Sequence, residues 1–505
     1  MSLAVLTPMG IEARAVRGGA PWARVQKFGI GPTRAGQAAS LVAEHDGAVV
    51  IAGFAGALDE RLRPGDIVLA SELRGPDPPF RGAGGTLACG DPAILAGILR
   101  RAGLRVFVGP IVSSPRIVHG ARRRELAATG ALAVDMESAW LAQAHDRPIV
   151  TLRAISDSHA QEVYRPLQLA SGVRSAYRSL RRAAALLGEW AELLGEREIM
   201  LAAPRASCAG VVRAVDIVRA ALEERGAPIY VRKQIVHNQH IVGELEQLGA
   251  IFVEEIDEIP AGATVIYSAH GVSPAVRAAA AERGLEVIDA TCPLVAKVHA
   301  EARRFARDDF DIVLIGHEGH EEVEGTVGEA PERTTVIASA EQVEQLDIAD
   351  PTRIAYLTQT TLAVDETNVV VDALRARFPM VAGPASDDIC YATQNRQDAV
   401  RALAGDCDIV LVVGSQNSSN SRRLVEVAER SGCRSTLIER ADDIRPELLR
   451  DVRRVGLTAG ASAPEELVEG VVAAIAGLGP VSVSERSVAT ESVHFKLPPQ
   501  IRRVA

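Results

Sequence analysis

The sequence lacks an excess of positive charge, a long apolar run and a signal-type start. Its 505 residues carry 55 basic and 65 acidic side chains, a net charge of −10, which argues against nucleic acid as the main partner. No apolar run is long enough to span a bilayer, and the first nine residues lack the basic start and apolar core of a signal peptide. We therefore expect a cytoplasmic protein without a membrane span.

The six cysteines include no C-x-x-C pair. This absence excludes a zinc ribbon and a thioredoxin-type motif, and so few cysteines in a long cytosolic chain do not suggest a disulfide framework. Any site that the cysteines share must be assembled from distant segments. With 47% hydrophobic and 24% charged residues, the chain has a globular composition, and its length suggests roughly three domain-sized units.

Residues 1–195 alternate strand-like and helix-like segments, which predicts an α/β domain. Glu12, Glu137 and Asp157 each follow a strand-like run or open a helix, where α/β proteins bind ligands. Taken singly, each carboxylate is more often a helix cap or a surface group. Gly29-Ile-Gly31 is a weak phosphate signal, because the full dinucleotide spacing is missing.

The motifs of this region resemble the nucleoside phosphorylase and nucleosidase family. The resemblance implies that Glu137 binds the ribose hydroxyls, that Asp157 protonates or hydrogen-bonds a purine, and that Glu12 positions an attacking water. N-glycosidic cleavage is the implied reaction, with water or phosphate as the attacking group. The motifs that carry the resemblance are Gly29–Arg34, Gly53–Leu58, Leu62–Val68, Val134–Ser138 and Arg153–Asp157.

Ser113–Val118 departs from nucleosidases that act on methylthioadenosine, which usually carry an acidic residue and a stacking aromatic there. This segment looks closer to hopanoid-associated phosphorylase-like proteins, for which the implied substrate is an adenosylated polyterpene. An amphipathic helix over Ala176–Gly195 is expected to close the domain. A second domain is expected over 198–480, and a tail with an edge strand over 481–505.

Three cysteines of the second domain share one context. Cys208, Cys292 and Cys390 each precede a helix-like stretch, where the helix macrodipole favours a thiolate. Free cysteines are more often core residues, which is our interpretation of Cys89, Cys407 and Cys433 unless they are surface thiols. For the other three we expect a shared ligand set. It could hold zinc with an open position or a [4Fe–4S] cluster with one iron uncovered.

Ile312–Thr326 runs from a buried strand pattern into a loop crowded with histidines and carboxylates. Such a loop can bind a metal, hold an anion or move protons. Other strand-then-loop segments supply imidazole, hydroxyl and amide donors that suit an anionic head group. These donors are His237, His270, Ser418, Ser419, Asn420 and Ser462.

Residues 199–475 closely resemble the LytB-type 4-hydroxy-3-methylbut-2-enyl diphosphate reductase family. Many long motifs match in order, which makes the resemblance highly specific. They are Pro204–Val211, Val236–Asn238, Ser268–Ser273, Asp289–Val295, Gly316–Thr326, Thr358–Leu362, Asp387–Thr393, Gly414–Ser421 and Thr458–Pro464.

The resemblance implies three pseudo-symmetric α/β modules around one [4Fe–4S] cluster per chain, held by Cys208, Cys292 and Cys390. It further implies that Glu322 supplies a proton, with Thr360 and His320 in the relay, and that a ferredoxin or flavodoxin delivers electrons. The implied reaction is reductive dehydroxylation of the diphosphate substrate to isopentenyl and dimethylallyl diphosphate. The implied diphosphate ligands are His237, His270, His320, Thr360, Ser418, Ser419, Asn420 and Ser462. The alternative is a thiolate metal-binding or redox-sensing module without turnover.

Overall fold

The computed structural model describes residues 3–43, 47–75, 86–142, 149–158 and 166–501. Their contacts group the chain into two compact units. The first comprises Met1–Glu198 together with Arg440–Arg453 and Glu469–Ser482. The second comprises Ile199–Glu439, Arg454–Val468 and Val483–Ala505. Both units combine helices with mainly parallel sheets, so the predicted α/β class is confirmed.

The first unit is built on one eight-stranded sheet in the order β2-β1-β3-β7-β6-β4-β5. The eighth strand pairs parallel with β3 and antiparallel with β4, which joins the two halves of the sheet. Its strands are β1 (Leu3–Thr7), β2 (Arg24–Lys27), β3 (Ala48–Ala57), β4 (Ile67–Arg74), β5 (Thr86–Ala88), β6 (Val106–Ser113), β7 (Ala133–Asp135) and β8 (Val150–Asp157).

The helices of the first 198 residues are α1 (Gly10–Gly19), α2 (Pro32–Ala43), α3 (Ala93–Arg101), α4 (Gly120–Ala127), α5 (Ser138–Ala142) and α6 (Pro166–Ala191). The expected closing helix is present, but it begins ten residues earlier than the prediction and ends at Ala191. It buries Leu180, Leu187 and Trp190 along one face, as an amphipathic helix should.

The second unit contains three separate sheets, in agreement with the three predicted modules. The first sheet has four parallel strands, β10 (Ile229–Arg232), β11 (Ala250–Val253), β12 (Thr264–Tyr267) and β13 (Glu286–Asp289). The next has three, β14 (Asp311–Ile315), β15 (Thr334–Ile337) and β16 (Ile354–Thr358). The last has five, β9 (Arg197–Ala203), β17 (Ile409–Val413), β18 (Arg434–Ile438), β19 (Arg454–Ala459) and β20 (Val481–Ser487).

Helices connect these strands, as parallel pairing requires. They are α7 (Ala209–Arg225), α8 (Gln239–Gln247), α9 (Pro274–Glu282), α10 (Pro293–Arg307), α11 (Glu321–Val327), α12 (Val364–Arg377), α13 (Tyr391–Ala404), α14 (Ser419–Arg430), α15 (Pro446–Leu449) and α16 (Glu465–Ala476). Short 3₁₀ segments lie at Ile256–Glu258, Ala340–Gln345, Ala441–Asp443 and Pro499–Ile501.

The carboxyl ends of the central strands carry the polar loops that the sequence singled out. β14 is buried over Ile312–Ile315 and leads into the loop before α11, whose N-cap is His320. Similarly, β17 is buried throughout and leads to Ser418, the N-cap of α14. Because the strands are parallel within each sheet, their loops gather at one edge, which positions polar side chains for a ligand.

The tail begins with β20, which lies at the edge of the five-stranded sheet next to β9. The predicted edge strand is therefore confirmed. Across the described ranges, the structure contains no helix with both the length and the apolar character that a bilayer crossing demands.

Two glycines of the second unit leave room for one buried hydroxyl. A Cβ at Gly460 would lie 2.0 Å from Ser421 Oγ, and one at Gly414 would lie 2.2 Å from the same atom. Ser421 is fully buried and donates to Ser418 Oγ at 3.0 Å. The Ser418 loop thus depends on the absence of a side chain at Gly460 and Gly414, which directly follow β19 and β17.

We expect Gly460→Ala to destabilise the protein by roughly 1–3 kcal/mol, because an added methyl overpacks a filled site. Adding Ser421→Ala removes the clashing oxygen and should recover part of that loss. Urea unfolding midpoints of the two variants and the parent protein measure the effect. An unchanged midpoint for Gly460→Ala would contradict this packing account.

Candidate functional site

In the first unit, a cavity of about 290 Å³ is lined by all three predicted carboxylates, Glu12, Glu137 and Asp157. Glu12 is fully buried and accepts from the backbone N–H groups of Met9 at 2.6 Å and Phe54 at 2.7 Å. Burial raises the pKa of Glu12 to about 7, against the opposing charge of Arg153. The Glu12 carboxyl therefore changes between its neutral and ionised forms near neutral pH.

Glu137 accepts from the backbone N–H of Gly31 at 3.0 Å, and burial raises its pKa. Arg153, fully buried, pairs with Asp135 at 2.7 Å and lies 3.8 Å from Glu137. The role of Arg153 as a link between these carboxylates could not be predicted, because nothing in its local pattern indicates a buried cation.

Asp157 has a second buried cation beside it. Arg123 Nη1 lies 2.6 Å from Asp157 Oδ2, and the two side chains are only 1% and 9% exposed. Arg123 also donates to the carbonyl of Ala57 through Nε at 2.8 Å. The guanidinium of Arg123 therefore donates to protein groups on two sides, and Asp157 is one of its acceptors.

In the second unit, the three predicted cysteines line one cavity of about 100 Å³. Cys208, Cys292 and Cys390 are the N-cap residues of α7, α10 and α13, as the sequence predicted. A Cβ at Gly210 would lie 2.8 Å from Cys292 Sγ and 3.8 Å from Cys208 Sγ, so this glycine keeps the space between two thiols open.

Burial dominates the protonation of two of these thiols, Cys292 and Cys390. It raises the pKa of Cys292 to about 12, although the backbone N–H of Leu294 favours the thiolate. Burial also raises the pKa of Cys390 to about 11, and repulsion from Cys208 adds to it. The helix N-termini alone therefore do not produce thiolates here. A coordinated metal reverses this balance, since it deprotonates a thiol outright.

Glu322 is 2% exposed and lines the same cavity. Its Oε1 accepts from the backbone N–H of Thr360 at 2.7 Å, and its Oε2 lies 3.1 Å from the Thr360 hydroxyl. Burial raises the pKa of Glu322, while the bonds from Thr360 lower it. The two residues form a hydrogen-bonded pair at the cavity wall.

Three imidazoles, His237, His270 and His320, line the cavity together. The rings of His237 and His270 stack with centroids 4.1 Å apart, and the ring of His320 stands edge-on 5.5 Å from that of His237. Burial lowers the pKa of His237 to about 3 and that of His320 to about 4. Both are therefore neutral at neutral pH.

Within the described ranges, His237, His270 and Glu321 are the one set of three metal-ligating side chains whose donor atoms all lie within 4.8 Å of one another. The two rings are nearly parallel, with an interplanar angle of 19°. Imidazole lone pairs lie in the ring plane, so two stacked rings point them side by side rather than at one ion. The group suits hydrogen bonding to an anion better than it suits a metal.

Hydroxyl and amide groups complete the cavity wall. Ser418, Ser419, Asn420 and Ser462 all line it and are each less than 10% exposed. Ser462 donates to the carbonyl of His237 at 3.1 Å, and Asn420 Oδ1 accepts from the backbone N–H of Ala461 at 2.8 Å. Every residue predicted for the second site is thus brought to one cavity.

Two parts of the chain match known families. Residues 199–476, more than half of the chain, match the family described as LytB protein. The chain belongs to the LytB family. Residues 16–191 match the phosphorylase superfamily, which agrees with the resemblance of the first domain.

Relatives of the LytB family align along most of their own length. A 4-hydroxy-3-methylbut-2-enyl diphosphate reductase of Leifsonia xyli subsp. xyli is 59% identical over 310 residues, 61% of this chain and 92% of that protein. The 4-hydroxy-3-methylbut-2-enyl diphosphate reductase 1 of Mycobacterium tuberculosis is 58% identical over 312 residues, 61% of this chain and 95% of that protein. The solved structure of the Plasmodium falciparum E-1-hydroxy-2-methyl-but-2-enyl-4-diphosphate reductase is 36% identical, with a TM-score of 0.58 over 61% of this chain and 97% of that one.

The LytB-family site also contains contacts that the sequence did not predict. Glu321 lies 3.1 Å from His270 Nδ1, and Thr361 bridges to Ser419 Oγ at 3.1 Å. His317, by contrast, does not line the cavity; its Nε2 accepts from Arg423 at 2.9 Å. The density of polar residues in the His317–Glu324 loop signalled a site, but it could not say which side chain faces the cavity.

Proposed function

We propose that residues 199–476 catalyse the reductive dehydroxylation of 4-hydroxy-3-methylbut-2-enyl diphosphate to isopentenyl and dimethylallyl diphosphate. The observation that carries this proposal is one cavity lined by three thiols, a set of anion donors and a buried carboxyl group. Replacing the C–O bond of the substrate by a C–H bond takes two electrons and two protons and releases water. The cavity offers candidate residues for holding an electron-transfer group, for binding the anion and for supplying a proton.

The three thiols support a [4Fe–4S] cluster over zinc. Cys208, Cys292 and Cys390 do not form a group whose sulfur atoms all lie within 4.8 Å, so at least one pair is farther apart. A single zinc ion with Zn–S bonds of about 2.3 Å holds tetrahedral ligands about 3.8 Å apart. A cluster spreads its thiolates over separate irons and fits the wider spacing. When bound, it supplies one-electron transfer and an iron position not covered by cysteine.

The remaining residues bind the anion and supply a proton. We assign the diphosphate to the imidazoles of His237, His270 and His320 and to the serine and asparagine donors of the cavity wall. Charge-assisted and neutral hydrogen bonds in a buried pocket hold an anion firmly. Glu322 is the proton donor in this proposal, because burial favours its neutral form and Thr360 lies within hydrogen-bond reach.

Electrons must come from outside the chain, and we propose a ferredoxin or flavodoxin as the donor protein. The competing function is a thiolate metal-binding or redox-sensing module without turnover. Such a module has no need of a buried carboxyl–hydroxyl pair or of a ring of anion donors. These features favour the reductase.

We expect protein purified without oxygen to carry about four iron and four sulfide per chain, with visible absorption. Cys208→Ala, Cys292→Ala and Cys390→Ala should each lower the iron content and the absorption. Cys89→Ser serves as the matched control, since Cys89 lies in the first unit and lines neither cavity. A colourless protein that contains zinc would contradict the assignment of a [4Fe–4S] cluster.

Glu322→Gln should keep cluster content and substrate affinity but lower kcat by about 10²–10⁴, because an amide cannot deliver the proton. Glu318→Gln, in the same loop and exposed, is the control and should retain the parent rate. Single-turnover and steady-state rates with the diphosphate substrate measure both. Full activity of Glu322→Gln would refute the assigned role.

For the first unit we propose N-glycosidic cleavage of a purine nucleoside. The supporting observation is a nucleoside-sized cavity of about 290 Å³ with three buried carboxylates. Glu137 is assigned to the ribose hydroxyls and Glu12 to the attacking water. Of the two roles implied for Asp157, the ion pair with Arg123 favours hydrogen bonding to the base over protonation of it.

If Glu12 activates water, base release should rise as pH increases from about 6 to 8. The pKa of Glu12 is raised to about 7, and only its carboxylate, present above that pH, accepts a proton. Glu12→Gln should abolish base release and leave the reductase rate unchanged. The measurement is purine release by the full chain from adenosine, inosine and 5′-methylthioadenosine, with and without phosphate. A flat pH profile, or release that survives Glu12→Gln, would contradict this assignment.

A further inference from the structure

Glu321 contacts the histidine cluster from outside the cavity lining. Its Oε2 lies 3.1 Å from Nδ1 of His270, and its side chain is 17% exposed. The cavity is lined by His270 but not by Glu321. The Glu321 carboxylate and the Ser268 hydroxyl, 3.4 Å away, both contact Nδ1, so the ring nitrogen left for a ligand is Nε2.

The charge of Glu321 fixes the proton on Nδ1. Burial would raise the pKa of Glu321, but the hydrogen bond and charge of His270 outweigh it and lower this pKa to about 2. At neutral pH the group is a carboxylate, which only accepts. His270 Nδ1 must then carry the proton between the two atoms.

A phosphate oxygen at Nε2 demands a second proton on the same ring. With Nδ1 protonated, a neutral imidazole would present the Nε2 lone pair to an anion, and the two would repel each other. Only the doubly protonated ring donates on both sides. A carboxylate at Nδ1 and a phosphate at Nε2 both stabilise that cation.

The neighbouring imidazoles do not have this arrangement. His320 Nδ1 accepts from the backbone N–H of Glu322 at 3.2 Å, so the neutral ring already carries its proton on Nε2. His237 Nδ1 is buried and has no hydrogen-bond partner among the described residues. The other charged or titratable groups that act on Glu321 or on the cluster are Lys233, Glu322, His317 and Arg422. His270 is thus the one member of the described cluster with a carboxylate in direct contact.

We propose that Glu321 is a positioning residue that makes His270 a cationic donor to the diphosphate of the substrate. This inference rests on the proposed reductase function and deepens it. The inference can be distinguished from simple charge repulsion. If Glu321 only repelled the anion, removing its charge would tighten anion binding. If Glu321 instead keeps His270 protonated, removing its charge should weaken anion binding.

The test compares Glu321→Gln with Glu324→Gln in the cluster-containing full chain. Glutamine still accepts from His270 Nδ1 and so keeps the ring in place, but it removes the charge. Glu324 lies on the same helix and pairs instead with Lys233 at 3.2 Å. Inorganic diphosphate is the probe for binding by calorimetry, and the diphosphate substrate is used for KM and kcat.

We expect Glu321→Gln to weaken the binding of inorganic diphosphate and to raise KM by roughly tenfold, the lower end of the loss found when the partner of a metal-binding histidine is removed. The value of kcat should change less than twofold, and Glu324→Gln should bind as the parent protein does. Unchanged or tighter binding by Glu321→Gln would overturn the inference, as would equal weakening by Glu324→Gln. If the parent protein itself does not bind diphosphate, the proposed function fails, and the inference fails with it.

Discussion

Three partly buried thiols at the N-termini of three helices are the constraint on which the second unit depends. Burial opposes the ionisation of two of them, since it raises the pKa of Cys292 to about 12 and that of Cys390 to about 11. The loops that present them must therefore be held by the strands and helices around them rather than by attraction among the thiols. Parallel sheets provide this support, because their strands end in loops at one edge. Gly210 leaves the space that the thiols need.

The same architecture explains why the residues that we propose for binding and for proton transfer come from different segments. β14 leads to His320 and Glu322, β16 leads to Thr360, and β17 leads to Ser418. Each loop contributes one or two polar groups, and the helix that follows fixes its backbone. The carboxyl of Glu322 is held by the backbone and the hydroxyl of Thr360, so the group is oriented before a ligand arrives. Orientation of this kind lowers the cost of arranging the site during the reaction.

Local sequence patterns predicted the features that neighbouring residues determine, such as the first residue of a helix. Pro293 after Cys292 and the helical period after Cys208 indicated helix N-termini, and both are present. Patterns could not predict contacts between distant segments. Arg123 approaches Asp157 from 34 residues away, and nothing near Arg123 marks it as a buried cation. The inclusion of Arg440–Arg453 in the first unit is equally non-local, and no feature of linker composition signals it.

Comparison of the two cavities shows how a cation or a carboxylate behind a site residue determines what that residue can do. In the first unit, Arg123 donates to Asp157 and so uses one of its oxygens as a hydrogen-bond acceptor. In the second, Glu321 beside His270 favours an imidazole that donates hydrogen bonds. The residue identities alone would allow a proton donor in the first case and a neutral ring in the second. In our proposals the partner outside the cavity selects between these forms, so the proposed chemistry of each site depends on contacts that its lining residues do not reveal.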